Sequence, residues 1–259
     1  MIRVPEIKLP LDSTEEDLLF YTAKQMKTDV KEIQSIQLVK RSIDARNKQI
    51  IHFICTVDVA LNHESVFMKH NKNSKIKYVA PYEYTIPATK KLETRPIVVG
   101  FGPAGMFAAL ILAQAGQNPI VIERGSAVEK RQEQVFSFWY GEKLNPESNV
   151  QFGEGGAGTF CDGKLNTLVK DPNGRNHEVL KRFVEAGAPE EIVYQQKPHL
   201  GTDILIGIVE TLRHQIEEMG GSFRFETKVT DLFIENGRLT AVEVNHKEKI
   251  PTDVCVLAL

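Results

Sequence analysis

PIVVGFGPAGMFAALILAQAGQNPIVIERG, residues 96–125, decides the fold of this chain. Ile97, Val98 and Val99 make a short β-branched run that stops at Gly100, and Gly100, Gly102 and Gly105 keep G-x-G-x-x-G spacing. A helix follows in which Ala104, Ala108, Ala109 and Ala113 keep one face slim, and Gly116 ends it as a left-handed cap. The next apolar run ends in Glu123. Strand, glycine turn, helix and strand in this order form a dinucleotide-binding βαβ unit. Gly100 permits the tight turn, Gly102 lets the backbone approach a pyrophosphate, and Gly105 lets the helix lie close to the sheet. Amides at the helix start, around Pro103 and Ala104, face the phosphates. Glu123 ends the second strand, where a carboxylate accepts hydrogen bonds from ribose hydroxyls and repels a 2′-phosphate. The same residues also suit a Rossmann-like unit whose glycines only turn the chain.

The second half continues the pattern. Thr202 and Asp203 are placed to cap a helix in which Ile204, Leu205, Ile208, Val209 and Leu212 recur at helical spacing, and Gly220 and Gly221 stop it. A strand through Phe223 and Phe225 follows. Val229 to Glu235 and Arg238 to Val244 then flank Asn236-Gly237, a strong hairpin signal. The chain ends in a buried-strand run, Val254 to Leu259.

The form G-F-G-P-A-G at Gly100 to Gly105, with E-R-G at Glu123 to Gly125, resembles the FAD site of the two-dinucleotide-binding flavoproteins, the glutathione-reductase-like superfamily. Residues 149–166, NVQFGEGGAGTFCDGKLN, and the segment Lys197 to Val229 are similar to the bacterial uncharacterised FAD-dependent dehydrogenase family, also called NAD(FAD)-utilizing dehydrogenases. The resemblance implies FAD as cofactor, with NAD(P)H as a candidate electron donor. It also implies a third parallel strand, an antiparallel excursion and a strand returning to the main sheet. The backbone of Val229 is the implied adenine contact, and Ala258 on the returning strand joins the cofactor-binding set. Members of that family continue past such a strand into a further flavin-contacting turn, so the Rossmann-like FAD-binding domain is expected to be truncated at its C-terminus.

Residues 1–85 form a different unit. Ile2 to Leu9 reads as a strand, Ser13 with Glu16 makes a capping box for a helix through Lys27, and Ser35 to Ile43 and Gln49 to Ala60 read as strands. With Glu64 to His70 as a helix and Lys75 to Ala80 as a strand, the order is βαββαβ, a ferredoxin-like α+β plan. Residues 86–95 read as a linker, and 96–259 as the FAD-binding domain. The fold class is therefore α/β, a Rossmann-like domain preceded by a ferredoxin-like module.

Composition sets the outer bounds. With 259 residues, 42% of them apolar, the chain suits one to two domains, and no run reaches the length of a membrane span. Met1-Ile2-Arg3 leads straight into Pro5 and Glu6 without an apolar leader, so a cytoplasmic address is expected. Residues 1–95 carry 16 basic and 12 acidic side chains and the remainder 16 and 22, giving the overall −2. A basic βαββαβ module raises RNA binding, but Ile51, Phe53, Cys55 and Val57 alternate with His52, Ile54 and Thr56 as a strand with one face in a core, without a stacking display. Docking onto the flavin domain or a partner protein is the preferred reading. Cys55, Cys161 and Cys255 are far apart and form no redox pair or thiolate metal site, and the seven histidines keep no ligand spacing, so no metal is expected.

Further candidates lie in the glycine-rich stretch. Gly153, Gly155, Gly156, Gly158 and Gly163 crowd one loop, whose amides suit a phosphate or a flavin edge, and Thr159 sits among them. Lys164 and Asp162 flank Gly163 as weak catalytic candidates, Lys164 also to offset charge on a reduced ring; a solvated pair is the bland alternative. Cys161 is a candidate thiol or a small filler. Arg124 and Arg131 follow the ribose carboxylate and either reach phosphates or belong to a solvated helix face. Phe136, Phe138, Trp139 and Tyr140 read as core packing ahead of substrate contact. The function expected is an FAD-binding oxidoreductase acting on a small-molecule substrate or electron acceptor, without nucleic acid or membrane partners. An unpaired final strand makes self-association expected. A nicotinamide-dependent dehydrogenase and a non-catalytic cofactor-binding or docking fragment are the alternatives.

Overall fold

The computed structural model describes residues 1–87, 90–161, 163–165 and 170–259. Two compact units are present. The first comprises Met1–Tyr84, Leu165–Val184 and Pro189–Pro198, the second Thr85–Lys164, Glu185–Ala188 and His199–Leu259.

In the first unit the chain runs through β1 (Ile2–Leu9), α1 (Glu15–Met26), β2 (Ile33–Asp44), β3 (His52–Leu61), α2 (Glu64–His70) and β4 (Lys77–Tyr78). The sheet order is β2-β3-β1-β4, and each neighbouring pair is antiparallel. Alternation along β1 and β3 sends Ile2, Val4, Ile7, Cys55, Val57 and Val59 into one core, where Met26, Leu18 and Tyr21 of α1 cover them. Pro5 interrupts an interior strand, and the chain absorbs its missing N–H with a bulge between Val4 and Ile7 in which Glu6 takes φ 62°.

The capping box at α1 is shifted by one residue from the expected one. Thr14 accepts from the amide of Asp17 at 3.3 Å, and the Asp17 carboxylate accepts from the amide of Thr14 at 2.9 Å. Ser13 instead donates to the carbonyl of Pro10. Thr14→Ala is therefore expected to lower the stability of this unit by about 1 kcal/mol, and Ser13→Ala by less than about 0.5 kcal/mol, in denaturant titrations.

The segments 165–184 and 189–198 join this unit, where the sequence reading ran the second domain unbroken from residue 96. Backbone pairing accounts for part of this: the amide of Arg41 in β2 donates to Tyr194 at 2.7 Å, and that of Gln196 donates to Arg41 at 3.0 Å. The Arg41 guanidinium lies over the rings of Phe53 and Tyr194, 5.1 and 5.0 Å from their centres. Helix α5 (Arg175–Glu185) starts where Asp171 accepts from the amides of Arg175, Asn176 and His177.

The second unit contains β5 (Ile97–Val99), α3 (Pro103–Gln114), β6 (Ile120–Ile122), α4 (Val128–Trp139), α6 (Thr202–Glu218), β7 (Ser222–Arg224), β8 (Val229–Glu235), β9 (Arg238–Val244), β10 (Glu248–Pro251) and β11 (Cys255–Leu257). Strands β11-β5-β6-β7 form a parallel sheet, and β10-β9-β8 an antiparallel one. Ile97, Val99 and Ile122 from the first sheet share a core with Val242 and Val244 of β9. Helix α3 ends as expected, with Gly116 at φ 71° and the amide of Gln117 bonded to Leu112. The Asn236-Gly237 turn has φ 51° and 76°, the left-handed pair that a tight hairpin requires. No cap from Thr202 or Asp203 forms; Gly201 occupies the N-cap of α6. The end of the expected linker is tied down, since Thr94 bonds Asp253 and Arg95 donates to Asn118 and Ser222. Among the described residues no helix is long and apolar enough to cross a membrane.

Candidate functional site

The C-terminal ends of the parallel strands gather the candidate residues of the second unit. β5 stops because Gly100 turns at φ 92°, and its amide donates to Ile122 of the neighbouring strand at 2.8 Å. A side chain there would also meet the carbonyl of Ala258 at 2.7 Å. Ala258 itself is held by its amide, which donates to Val99 at 2.9 Å. Gly105 is closer still to its surroundings: a β-carbon would lie 1.9 Å from the carbonyl oxygen of Gly100. Between these two, Gly102 is different. It caps α3 in an extended conformation, and among the described residues a β-carbon on it would meet only the α-carbon of Gly156, at 3.7 Å. Pro103 fills the first helical position, where its missing N–H costs nothing, and Pro103 and Ala104 are exposed. The first-turn amides of α3 therefore face open space at the positive end of the helix.

Glu123 is 5% exposed and bound on both oxygens by backbone: Oε2 accepts from the amide of Phe101 at 2.8 Å, Oε1 from that of Gly125 at 2.9 Å. One carboxylate thus links the glycine turn after β5 to the turn after β6. Each oxygen retains acceptor capacity toward a further donor.

A second glycine-rich segment packs on this turn. The amide of Gly155 donates to Phe101 at 2.8 Å, and a β-carbon on Gly156 would come within 3.0 Å of Gly102 and 3.3 Å of Pro103. Thr159 is buried below the loop, while Gly158 is exposed and a β-carbon on it would meet none of the described residues within 4 Å. The structure thus brings together Gly100, Gly102, Pro103, Ala104, Gly105, Glu123, Gly156, Thr159 and Ala258.

Arg124 and the flank of Val229 border a separate polar cavity of about 540 Å³, lined among others by Arg124, Lys130, Glu147, Glu226, Lys228 and Asn245. Arg124 pairs with Glu147 at 2.7 Å and stacks over Phe152. Val229 opens β8, with its side chain packed toward the core between the two sheets. Lys164 is exposed and its backbone pairs with His199 as an isolated antiparallel β-bridge; Cys161 is also exposed, and Asp162 lies outside the described residues.

Two expectations need correction. Arg131 is fully buried and joins no solvated face; each of its three side-chain nitrogens donates to carbonyls of the 149–156 segment. The aromatic cluster is not core: Phe136, Trp139 and Tyr140 are exposed by 41%, 55% and 91%, because α4 turns Val128, Arg131 and Val135 inward instead.

Glu154 escaped the sequence reading. It is fully buried, with Oε2 accepting from the amide of Val128 at 2.7 Å and from Arg213 at 2.9 Å, while Oε1 has no hydrogen-bond partner among the described residues. Arg213 also pairs with Glu129. Burial pushes the Glu154 carboxyl up to about 7, against the pull of the Val128 amide and Arg213 and with a contribution from Glu129 and Glu123. The folded state holds this proton more tightly than the unfolded chain, whose value is 4.5. Its stabilising contribution is complete below the unfolded value and is lost as pH rises through 7, roughly 3 kcal/mol in all. Glu154→Gln removes the titration. Its stability relative to wild type should rise between pH 4.5 and 8.5 by that amount, and a flat difference would place the proton elsewhere.

Comparison with known proteins gives partial matches. A family model described as Domain of unknown function (DUF8436) matches residues 1–60. A protein of Clostridium beijerinckii, named only "Uncharacterized protein", is 42% identical over 260 residues, covering 100% of this chain and 48% of the relative. The chain thus spans about half the length of that curated relative. Among solved structures, the FAD-bound form 2 of OTEMO aligns with 65% of this chain and 26% of its own, at 17% identity and a TM-score of 0.39. Glycine oxidase from Bacillus cereus aligns with 64% of this chain and 55% of its own, at 16% identity and a TM-score of 0.34. L-proline dehydrogenase from P. horikoshii aligns with 65% and 53%, at 18% identity and a TM-score of 0.34.

Proposed function

We propose that the second unit binds FAD and belongs to an oxidoreductase. The observation that carries this reading is the buried Glu123 carboxylate bonded to the amide of Phe101, inside a glycine turn where, of Gly100, Gly102 and Gly105, Gly102 is the one whose β-carbon would meet no clash with the described residues. Gly102 and the first amides of α3 would hold the pyrophosphate, Gly156 would close over it, and Glu123 would accept from the adenosine ribose. The adenine would lie toward Arg124 and the start of β8. FAD, when bound, supplies the electron transfer. The chain's own residues bind and orient it: α3 stabilises the negative diphosphate, and Glu123 fixes the ribose while excluding a 2′-phosphate.

Two features favour FAD over a nicotinamide dinucleotide. The second glycine segment at 153–158 resembles that of FAD-dependent dehydrogenases. The route from β7 to β11 runs through the antiparallel strands β8 to β10, as that resemblance implies, and brings Ala258 against the pyrophosphate turn. We further propose that the parent enzyme draws on NAD(P)H and that residues 1–85 form a ferredoxin-like docking module.

Parallel equilibrium titrations with FAD, ADP, NAD and FMN test the reading. FAD should bind tightest and ADP should compete with it, since both carry the adenosine diphosphate that the site grips; FMN should not compete. Tighter binding of NAD than of FAD would favour the nicotinamide reading instead.

A further inference from the structure

We infer that Arg131 is a positioning residue for the dinucleotide: it fixes the shape of the 149–156 loop so that Gly156 stands against Gly102 before any ligand arrives. The inference rests on the reading of this site as an FAD site. Arg131 projects from α4 and is completely buried. Its Nε donates to Asn149 at 2.9 Å and Nη2 to Val150 at 3.0 Å; Nη1 meets Glu154 at 2.5 Å, Gly156 at 2.9 Å and Gly153 at 3.3 Å. Five carbonyl oxygens of one loop thus converge on a single planar cation. Only arginine presents enough donors in a rigid fork to do this.

The loop fits around the side chain closely. A β-carbon on Gly153 would come within 2.5 Å of the Arg131 δ-carbon, and the ring of Phe160 lies 4.9 Å below the guanidinium. Burial pulls the guanidinium down to about 10, with Glu123 and Glu154 opposing the shift, so it is charged at neutral pH. The carboxylate of Glu154 bonds Arg213 and Val128 and leaves Arg131 to the backbone. A buried cation is a costly way to fill space, and an apolar side chain would pack there more cheaply. What the cation provides is loop shape. Ordering the loop in advance removes that cost from cofactor binding.

The experiment compares FAD affinity of wild type, Arg131→Lys and Arg131→Ala, with thermal melting recorded in parallel. Lysine places fewer donors and no fork, so Arg131→Lys should weaken FAD binding about 10- to 100-fold. Arg131→Ala should weaken it further, and millimolar guanidinium, but not methylammonium, should restore part of the loss. A folded Arg131→Lys protein that binds FAD within about twofold of wild type would overturn the inference. Should the variants fail to fold, hydrogen exchange of amides 149–156 in the FAD-free wild type decides. Slow exchange that FAD changes little supports advance ordering; exchange at the rate of free coil until FAD is added overturns it. Failure of wild type to bind FAD would reject the cofactor assignment instead.

Discussion

Gly102→Ala is expected to leave the second unit folded and to strip it of FAD. The backbone at Gly102, φ −77° and ψ −174°, suits any L-residue, and among the described residues the added methyl would meet only the α-carbon of Gly156 at an ordinary 3.7 Å. The protein itself therefore has no reason to require glycine here beyond a modest change in helix capping. A diphosphate does. Its oxygens must reach the α3 amides through the space that the methyl would fill, so affinity should fall about 100-fold or more, which corresponds to about 2.7 kcal/mol. FAD titration with parallel circular dichroism checks both halves, and undiminished affinity would mean that the phosphates bind elsewhere.

Gly105→Ala should give the opposite division. Here a methyl would sit 1.9 Å from the carbonyl oxygen of Gly100 and 3.4 Å from the β-carbon of Ala258. Both are fixed: Gly100 bonds Ile122 through its amide, and Ala258 bonds Val99. Helix α3 must therefore lift from the sheet, which disturbs the packing of Met106, Ala109 and Leu110. Overpacking of this kind costs about 3 kcal/mol or more, because the obstructing atom is backbone and cannot rotate away. Differential scanning calorimetry should show the second unit melting about 6–12 °C lower. A melting temperature within about 2 °C of wild type would mean that helix and turn are not in this contact. On the proposed reading the glycines of one motif thus have separable roles, and the two substitutions would distinguish holding the fold from holding the ligand.

The sequence disclosed features that depend on neighbours in the chain. Asn236-Gly237 announced its hairpin because few other residues take two successive positive φ angles, and β8 and β9 begin and end where the alternation does. Ile97 to Val99, Gly100 and Gly116 were legible for the same local reason. The capping residue of α1 was missed by one position because Ser13 and Thr14 each have an acidic residue three places on, and only the entry angle of the chain selects Thr14. Strand β10 was missed because Ile250 is its lone interior apolar residue, and pairing with β9 forms it.

At the site the limit was distance along the chain. Arg131 stands in the polar run Glu129 to Gln134, which reads as a solvated face, yet the loop 18 to 25 residues later wraps over it. Glu154 lies in a glycine-rich segment, a context that suggests solvent; its partners come from α4 and α6. Glu123 stood out in the sequence as an acidic residue at the end of the second strand, the position proposed for the ribose, but its bonds to Phe101 and Gly125 emerge only when two turns meet. The exposure of Trp139 and Tyr140 was equally hidden, since which face of α4 turns inward depends on the loop it holds.

The most direct measurement of the central proposal is the visible absorption spectrum of the purified chain, followed by titration of the flavin-free protein with FAD. The expected result is saturable binding of one FAD per chain, displaced by ADP and carrying a flavin absorbance band. A protein that purifies folded, shows no flavin absorbance and binds neither FAD nor ADP at millimolar concentration would contradict it.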